Sequence, residues 1–245
     1  MRKILLSFLL ALLPGFALAA TGGVHLDKAD IDLKNQDSLQ YGAKLFVNYC
    51  LSCHSAQHQR YSRMARDIGL TDEQVIENLM FASDKIGEQM KIAMTRQDGK
   101  NWFGAPPPDL TLVARVRGAD WLYTYLRTFY VDESRPFGVN NLVFPAVGMP
   151  HVLWELQGVQ KPVLKTVEQG GEAHQVVDGL ELVEPGTMTP VEYDKAMRDL
   201  VNFMVYMSEP ALLERKALGV KVILFLLVFL VIAYLLKKEY WKDVH

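Results

Sequence analysis

The chain has 245 residues, half of them hydrophobic, and 26 Lys and Arg against 28 Asp and Glu give a formal net charge of −2. So even a balance gives no hint of nucleic-acid binding, and no nucleic-acid partner is expected. Acidic residues gather only locally, at Asp72, Glu73, Glu77, Asp84 and Glu88, and read as a solvated helix face in preference to a docking patch for a basic partner.

The N-terminus, MRKILLSFLLALLPGFALAA, places Arg2 and Lys3 before an apolar core from Ile4 to Phe16 and ends in Ala17-Leu18-Ala19. This is the three-part build of a secretory signal, and it predicts cleavage after Ala19. A retained anchor is the alternative, disfavoured by Pro14, Gly15 and the Ala-rich site. Residues 20–216 then form one exported domain, long enough to bury a core.

In DSLQYGAKLFVNYC, Leu39, Gly42, Phe46 and Tyr49 recur at helical spacing, with Asp37 or Ser38 available as N-cap. The helix runs into CLSCH, which holds Cys50 and Cys53, the two cysteines of the chain, and His54. In an exported protein two cysteines normally pair. A C-x-x-C oxidoreductase does not require the following His, however, and no thioredoxin-like alternation of strands and helices surrounds this one. A structural zinc site needs four ligands, and no second Cys/His pair stands at ligand spacing. C-x-x-C-H is the attachment signature of c-type haem, with His54 as proximal ligand. One covalently attached haem c is therefore expected. Gly42, as G-x-x-x-F before the motif, is similar to the first helix of class I cytochromes c, where a small residue lets the C-terminal helix cross closely.

Iron's sixth position decides between an electron carrier, closed by methionine sulfur, and an open ligand-binding or catalytic haem. Met1 leaves with the signal. Met197, Met204 and Met207 read as packing on a C-terminal helix, and Met64, Met80, Met90 and Met94 as filler in helix-like stretches. Met149 in FPAVGMPHV and Met188 in EPGTMTP sit in loops held by prolines, and Met149 leads. Farther on, Val163–Val167 and Gln175–Val177, separated by EQGGEAH, predict a β-hairpin. In YDKAMRDLVNFMVYMSEP, the stripe Ala196, Leu200, Phe203 and Met207 predicts a helix ended by Pro210.

From Val222 to Leu236 no residue is charged, and the apolar run from Ala217 to Leu236 has the length of a membrane span, with lipid on all sides. Tyr234, Tyr240 and Trp241 suit the interface beside Lys237, Lys238 and Lys242. Basic residues flank the run on both sides, so the signal peptide decides the orientation. It places the domain on the periplasmic side of the cytoplasmic membrane and residues 237–245 in the cytoplasm.

Taken in order, CLSCHSAQHQRYSRM, GAPPPDLTLVARVRGADWLYTYL, FPAVGMPH and MSEPALLERKALG leading into the anchor resemble cytochrome c1, the haem subunit of the ubiquinol–cytochrome c reductase (bc1) complex. The resemblance covers nearly all of the mature chain. It implies a mainly α, class I cytochrome c-like haem domain with one C-terminal transmembrane helix, to which the hairpin is a small insertion. It also implies haem attachment at Cys50 and Cys53, iron ligation by His54 and Met149, and a pocket wall at Pro107, Pro108, Asp109 and Leu110. Arg115 matches the arginine expected at a haem propionate, with Arg117 close by in the register. The implied partners are cytochrome b, the Rieske iron–sulfur protein as donor and a soluble c-type cytochrome as acceptor. The 158–189 segment looks longer than the family's and reads as a surface elaboration. Two rivals stay open: a membrane-tethered monohaem cytochrome of another respiratory complex, and an open-iron haem enzyme or sensor.

Overall fold

A computed structural model describes residues 24–169 and 172–243; the expected signal peptide lies outside the described residues. The fold is mainly helical. Helix α1 (Gln36–Leu45) continues into a π-helical turn, Phe46–Cys50, which delivers the first cysteine. Strand β1 (Ala56–Arg60) follows, then α2 (Tyr61–Asp67), α3 (Asp72–Asn78), β2 (Gln89–Met90) and α4 (Arg96–Phe103). Helices α5 (Val113–Arg117) and α6 (Ala119–Arg127) lead to β3 (Phe129–Val131), β4 (Val139–Asn141) and the short α7 (Trp154–Gln157). The chain ends with β5 (Gly158–Gln169), β6 (Glu172–Pro185), α8 (Pro190–Ser208) and α9 (Leu212–Tyr240). The strands pair only as antiparallel two-stranded ribbons, β1 with β2, β3 with β4 and β5 with β6.

The N-cap of α1 is neither Asp37 nor Ser38. Asn35 starts the helix, its side chain accepting the Ser38 amide at 3.1 Å. This frees the Ser38 hydroxyl to donate to Asp199 on α8 at 2.6 Å. The α1–α8 crossing is the centre of the domain, and Gly42 makes it possible. A Cβ there would stand 2.1 Å from the Asp199 carbonyl oxygen and 2.7 Å from Phe203 Cβ. The Phe46 and Phe203 rings then pack 5.6 Å apart, and the expected stripe Ala196, Leu200, Phe203 and Met207 is wholly buried. Helix α8 begins with a reciprocal cap between Thr189 and Glu192 and Pro190 in its first turn, where proline's fixed φ suits a helix start.

The hairpin is much longer than the alternation of residues indicates. Twelve residues of β5 face fourteen of β6, with register shifts between Val159 and Gln160 and between Val163 and Leu164. Val163, Leu164, Val167, Val176, Leu182 and Val183 remain exposed, so no buried face imposed a period-two signal on the sequence. Helix α9 also exceeds its apolar run. It is a single helix of 29 residues, none buried, and long and apolar enough to cross a membrane.

Gly42→Ala provides a test of the crossing. Alanine gains up to ~1 kcal/mol of helix propensity, but the overlap must push α1 and α8 apart, at a cost of typically ~1–3 kcal/mol. Chemical denaturation of the haem-loaded protein should show a net loss of stability; an unchanged or raised midpoint would refute the close crossing.

Candidate haem-binding site

The π turn closes on the motif: the Cys53 and His54 amides donate to the Cys50 carbonyl at 3.1 and 2.9 Å. Cys50 is buried, Cys53 partly so, and neither is in a disulfide. Burial, reinforced by the neighbouring Cys53, pushes the Cys50 thiol up to about 12. Burial therefore keeps the Cys50 thiol protonated in the chain on its own.

His54 is oriented by the triproline strap. Its Nδ1 lies 2.7 Å from the Pro108 carbonyl oxygen. A carbonyl can only accept, so the proton sits on Nδ1 and Nε2 keeps a bare lone pair, the arrangement of a metal-ligating histidine. Burial lowers the imidazole's proton affinity, against smaller opposing effects of the Pro108 carbonyl and Asp109, and so favours this neutral form. Pro108 therefore contributes its carbonyl. The strap is pinned on both flanks: the Leu110 amide donates to the Ser55 carbonyl at 2.9 Å, and Asp109 accepts the Gln57 amide at 2.8 Å. Behind it, Gly99 on α4 leaves room that a Cβ would fill at 2.8 Å from Pro107.

Met149 and Met94, both half-buried, lie outside the core that takes up the other described methionines. Met64, Met80, Met90, Met197, Met204 and Met207 are core residues, and Met188 packs against that core. Met149 instead accepts a hydrogen bond on its sulfur from the Tyr125 hydroxyl at 3.4 Å. Tyr125 stacks on Trp121 one turn earlier on α6, with centroids 5.0 Å apart, and meets Phe129 edge-on at 5.1 Å. Burial alone holds its hydroxyl protonated far above the usual phenol range, so it is always a donor.

Arg115 and Arg117 part company. Arg115 Nη1 lies 2.8 Å from Glu209 at the foot of α9, which commits it to the domain–anchor junction. The Arg117 guanidinium lies over the Trp121 ring at 5.0 Å and Phe144 at 5.8 Å. That puts it on the aromatic wall that carries Tyr125 and Met149.

The profile of the cytochrome C1 family matches residues 31–244. The chain belongs to the cytochrome c1 family. It is 52% identical to cytochrome c1 of Allochromatium vinosum and 48% identical to a Nitrosomonas europaea protein named ammonia monooxygenase gamma subunit, with full coverage of both chains in each case. Cytochrome c1 of Rhodospirillum rubrum is 25% identical over 94% of this chain and 92% of its own. As a cytochrome c1, the chain is the membrane-anchored haem subunit of a bc1-type complex, whose other redox subunits are cytochrome b and the Rieske protein, and it carries one covalently bound haem c. The donor set fits that group: two thiols in C-x-x-C, an imidazole with a bare nitrogen, and a thioether kept out of the core.

Trp121 and Tyr125 lie within the GADWLYTYL part of the family-like segment, but nothing there assigns them a role. Their i, i+4 aromatic spacing on α6 reads equally well as core. Tyr125→Phe should keep the fold and the aromatic stack while removing the hydroxyl dipole aimed at the Met149 sulfur. The positive end of that dipole opposes ferric iron, so the midpoint potential should fall. A sulfur acceptor is weak, which limits the drop to about 60 mV, the one-electron equivalent of a tenfold change. Redox titration monitored by haem absorbance measures it; an unchanged or raised potential would show that the hydroxyl does not act on the ligand.

Proposed function

We propose that this cytochrome c1 relays single electrons from the Rieske iron–sulfur protein to a soluble c-type cytochrome, with the haem domain on the periplasmic side of the cytoplasmic membrane. Haem c, when bound, supplies the one-electron ferric/ferrous couple. Cys50 and Cys53 would hold the group through thioethers, and His54 Nε2 and Met149 Sδ would be the ligands to its iron. No bond in a substrate is made or broken, so the residues' task is to keep both ligands in place through each electron transfer. The observation that carries this reading is the pair of oriented donors, the His54 imidazole fixed by the Pro108 carbonyl and the Met149 sulfur fixed by Tyr125.

An arginine fork suits a propionate because it neutralises a carboxylate that burial would penalise. Of the two candidates, Arg117 is the better placed, since Arg115 is engaged by Glu209. Helix α9 crosses the lipid once, with residues 237–245 in the cytoplasm, and the mature chain begins at residue 20.

Met149→Leu should preserve volume at a packing cost below about 1.5 kcal/mol. It should abolish the sulfur-to-iron charge-transfer band, open the ferrous protein to carbon monoxide and lower the potential, because thioether ligation favours ferrous iron. Met188→Leu should change none of these. The opposite pattern would transfer the ligand role to Met188. The alternative, a monohaem cytochrome serving another membrane complex, gains interest from the name of the Nitrosomonas relative. Gentle solubilisation and affinity purification of the full-length chain should recover a b-type haem and an iron–sulfur protein in stoichiometric amounts; recovery of a different complex would favour the alternative.

A further inference from the structure

We propose that Asn140 and Asn141 are positioning residues that hold the Met149 loop in its iron-ligating conformation, a proposal that rests on Met149 being the distal ligand. Asn141 closes β4 and is 0% exposed. Its side-chain oxygen accepts the Val143 amide at 2.9 Å and the Phe144 amide at 3.2 Å. Its side-chain nitrogen donates to the Tyr125 carbonyl at 2.8 Å. One amide group therefore ties the start of the distal loop to the helix residue whose hydroxyl reaches the Met149 sulfur. Only a side chain with both donor and acceptor on one short stem can make this bridge.

Asn140 acts one step farther along the loop. Its side-chain oxygen accepts the Ala146 amide at 2.8 Å, and its nitrogen is held by Asp132 at 2.9 Å. Ala146 has φ +61, a left-handed conformation that a non-glycine residue adopts at a cost. Arg135 Nη2 donates to the carbonyl of the same residue at 2.9 Å. The strained residue is thus gripped at both its amide and its carbonyl, three positions before Met149. Proline at 150 restricts the chain on the far side of the ligand. A methionine arm so restrained has few conformations other than the bound one. It should stay on iron through both oxidation states, although thioether sulfur is a weak ligand for ferric iron.

The test uses the full-length protein with haem attached, comparing Asn141→Leu, Asn140→Ala and Met149→Leu. The thioethers and His54 are untouched in all three, so covalent haem should be retained. Asn141→Leu and Asn140→Ala should weaken the charge-transfer band and admit carbon monoxide to the ferrous protein at least ~10-fold faster than wild type, because the open population rises. A Val75→Ala control, in the core on α3, should lower stability without moving either signal. If Asn141→Leu fails to accumulate, Asn140→Ala, which removes the bond to the Ala146 amide together with those to the Asn141 amide and Asp132, decides. A band retained in Met149→Leu would overturn the ligand assignment and the clamp with it. A band lost in Met149→Leu but intact in Asn140→Ala, with carbon monoxide still excluded, would overturn the clamp alone.

Discussion

The absence of a side chain at Gly42 is the constraint from which the rest of the domain follows. It lets the backbone of α1 approach the Asp199 carbonyl on α8 more closely than any Cβ would permit. That approach brings Phe46 onto Phe203 and aligns Ser38 with Asp199. It also fixes the direction in which α1 leaves the core. The π turn follows directly, so Cys50 and His54 inherit their position from a packing decision two helical turns upstream. Helices α5 and α6 pack on the same α8, which places the aromatic wall and the strap relative to the motif.

Two polar contacts then turn a packed scaffold into a ligand set. The strap offers His54 an acceptor, so that one nitrogen is committed and the other is left bare. The wall offers Met149 a donor that cannot ionise at ordinary pH. Each is a modest interaction, net about 0.5–1.5 kcal/mol for an ordinary hydrogen bond, and the sulfur contact sits at the weak end. Their importance lies in direction: they aim atoms that burial alone would leave free to rotate.

Much of this was legible in the sequence because local pattern and tertiary role coincide. The C-x-x-C-H motif, the Gly42 position, the α8 stripe and the apolar α9 each write their function into spacing. The core methionines of α8 were legible too, since they recur at helical spacing. What escaped depended on long-range partners. Asn35, Asp37 and Ser38 are all competent caps, and Asp199, more than 160 positions away, decides among them. Arg115 and Arg117 lie two positions apart on one short helix, and the Glu209 partner of Arg115 lies more than 90 positions farther along the chain. The hairpin's length was invisible because side chains along it, such as Val163, Leu164, Val176 and Val183, stay exposed. Tyr125, Asn140 and Asn141 are ordinary residues whose meaning arises only from what the fold sets opposite them.

The junction at Glu209 has a mechanical consequence. This carboxylate is paired with Arg115 from the haem-domain wall and with Arg215 from the first turns of α9, which braces the helix against the head it carries. Helix α9 has 29 residues, about 44 Å at 1.5 Å per residue, against a hydrocarbon layer of about 30 Å. The surplus forms a short, stiff mast with a braced foot. The two ion pairs thus tie the haem domain and the start of the apolar helix to one carboxylate.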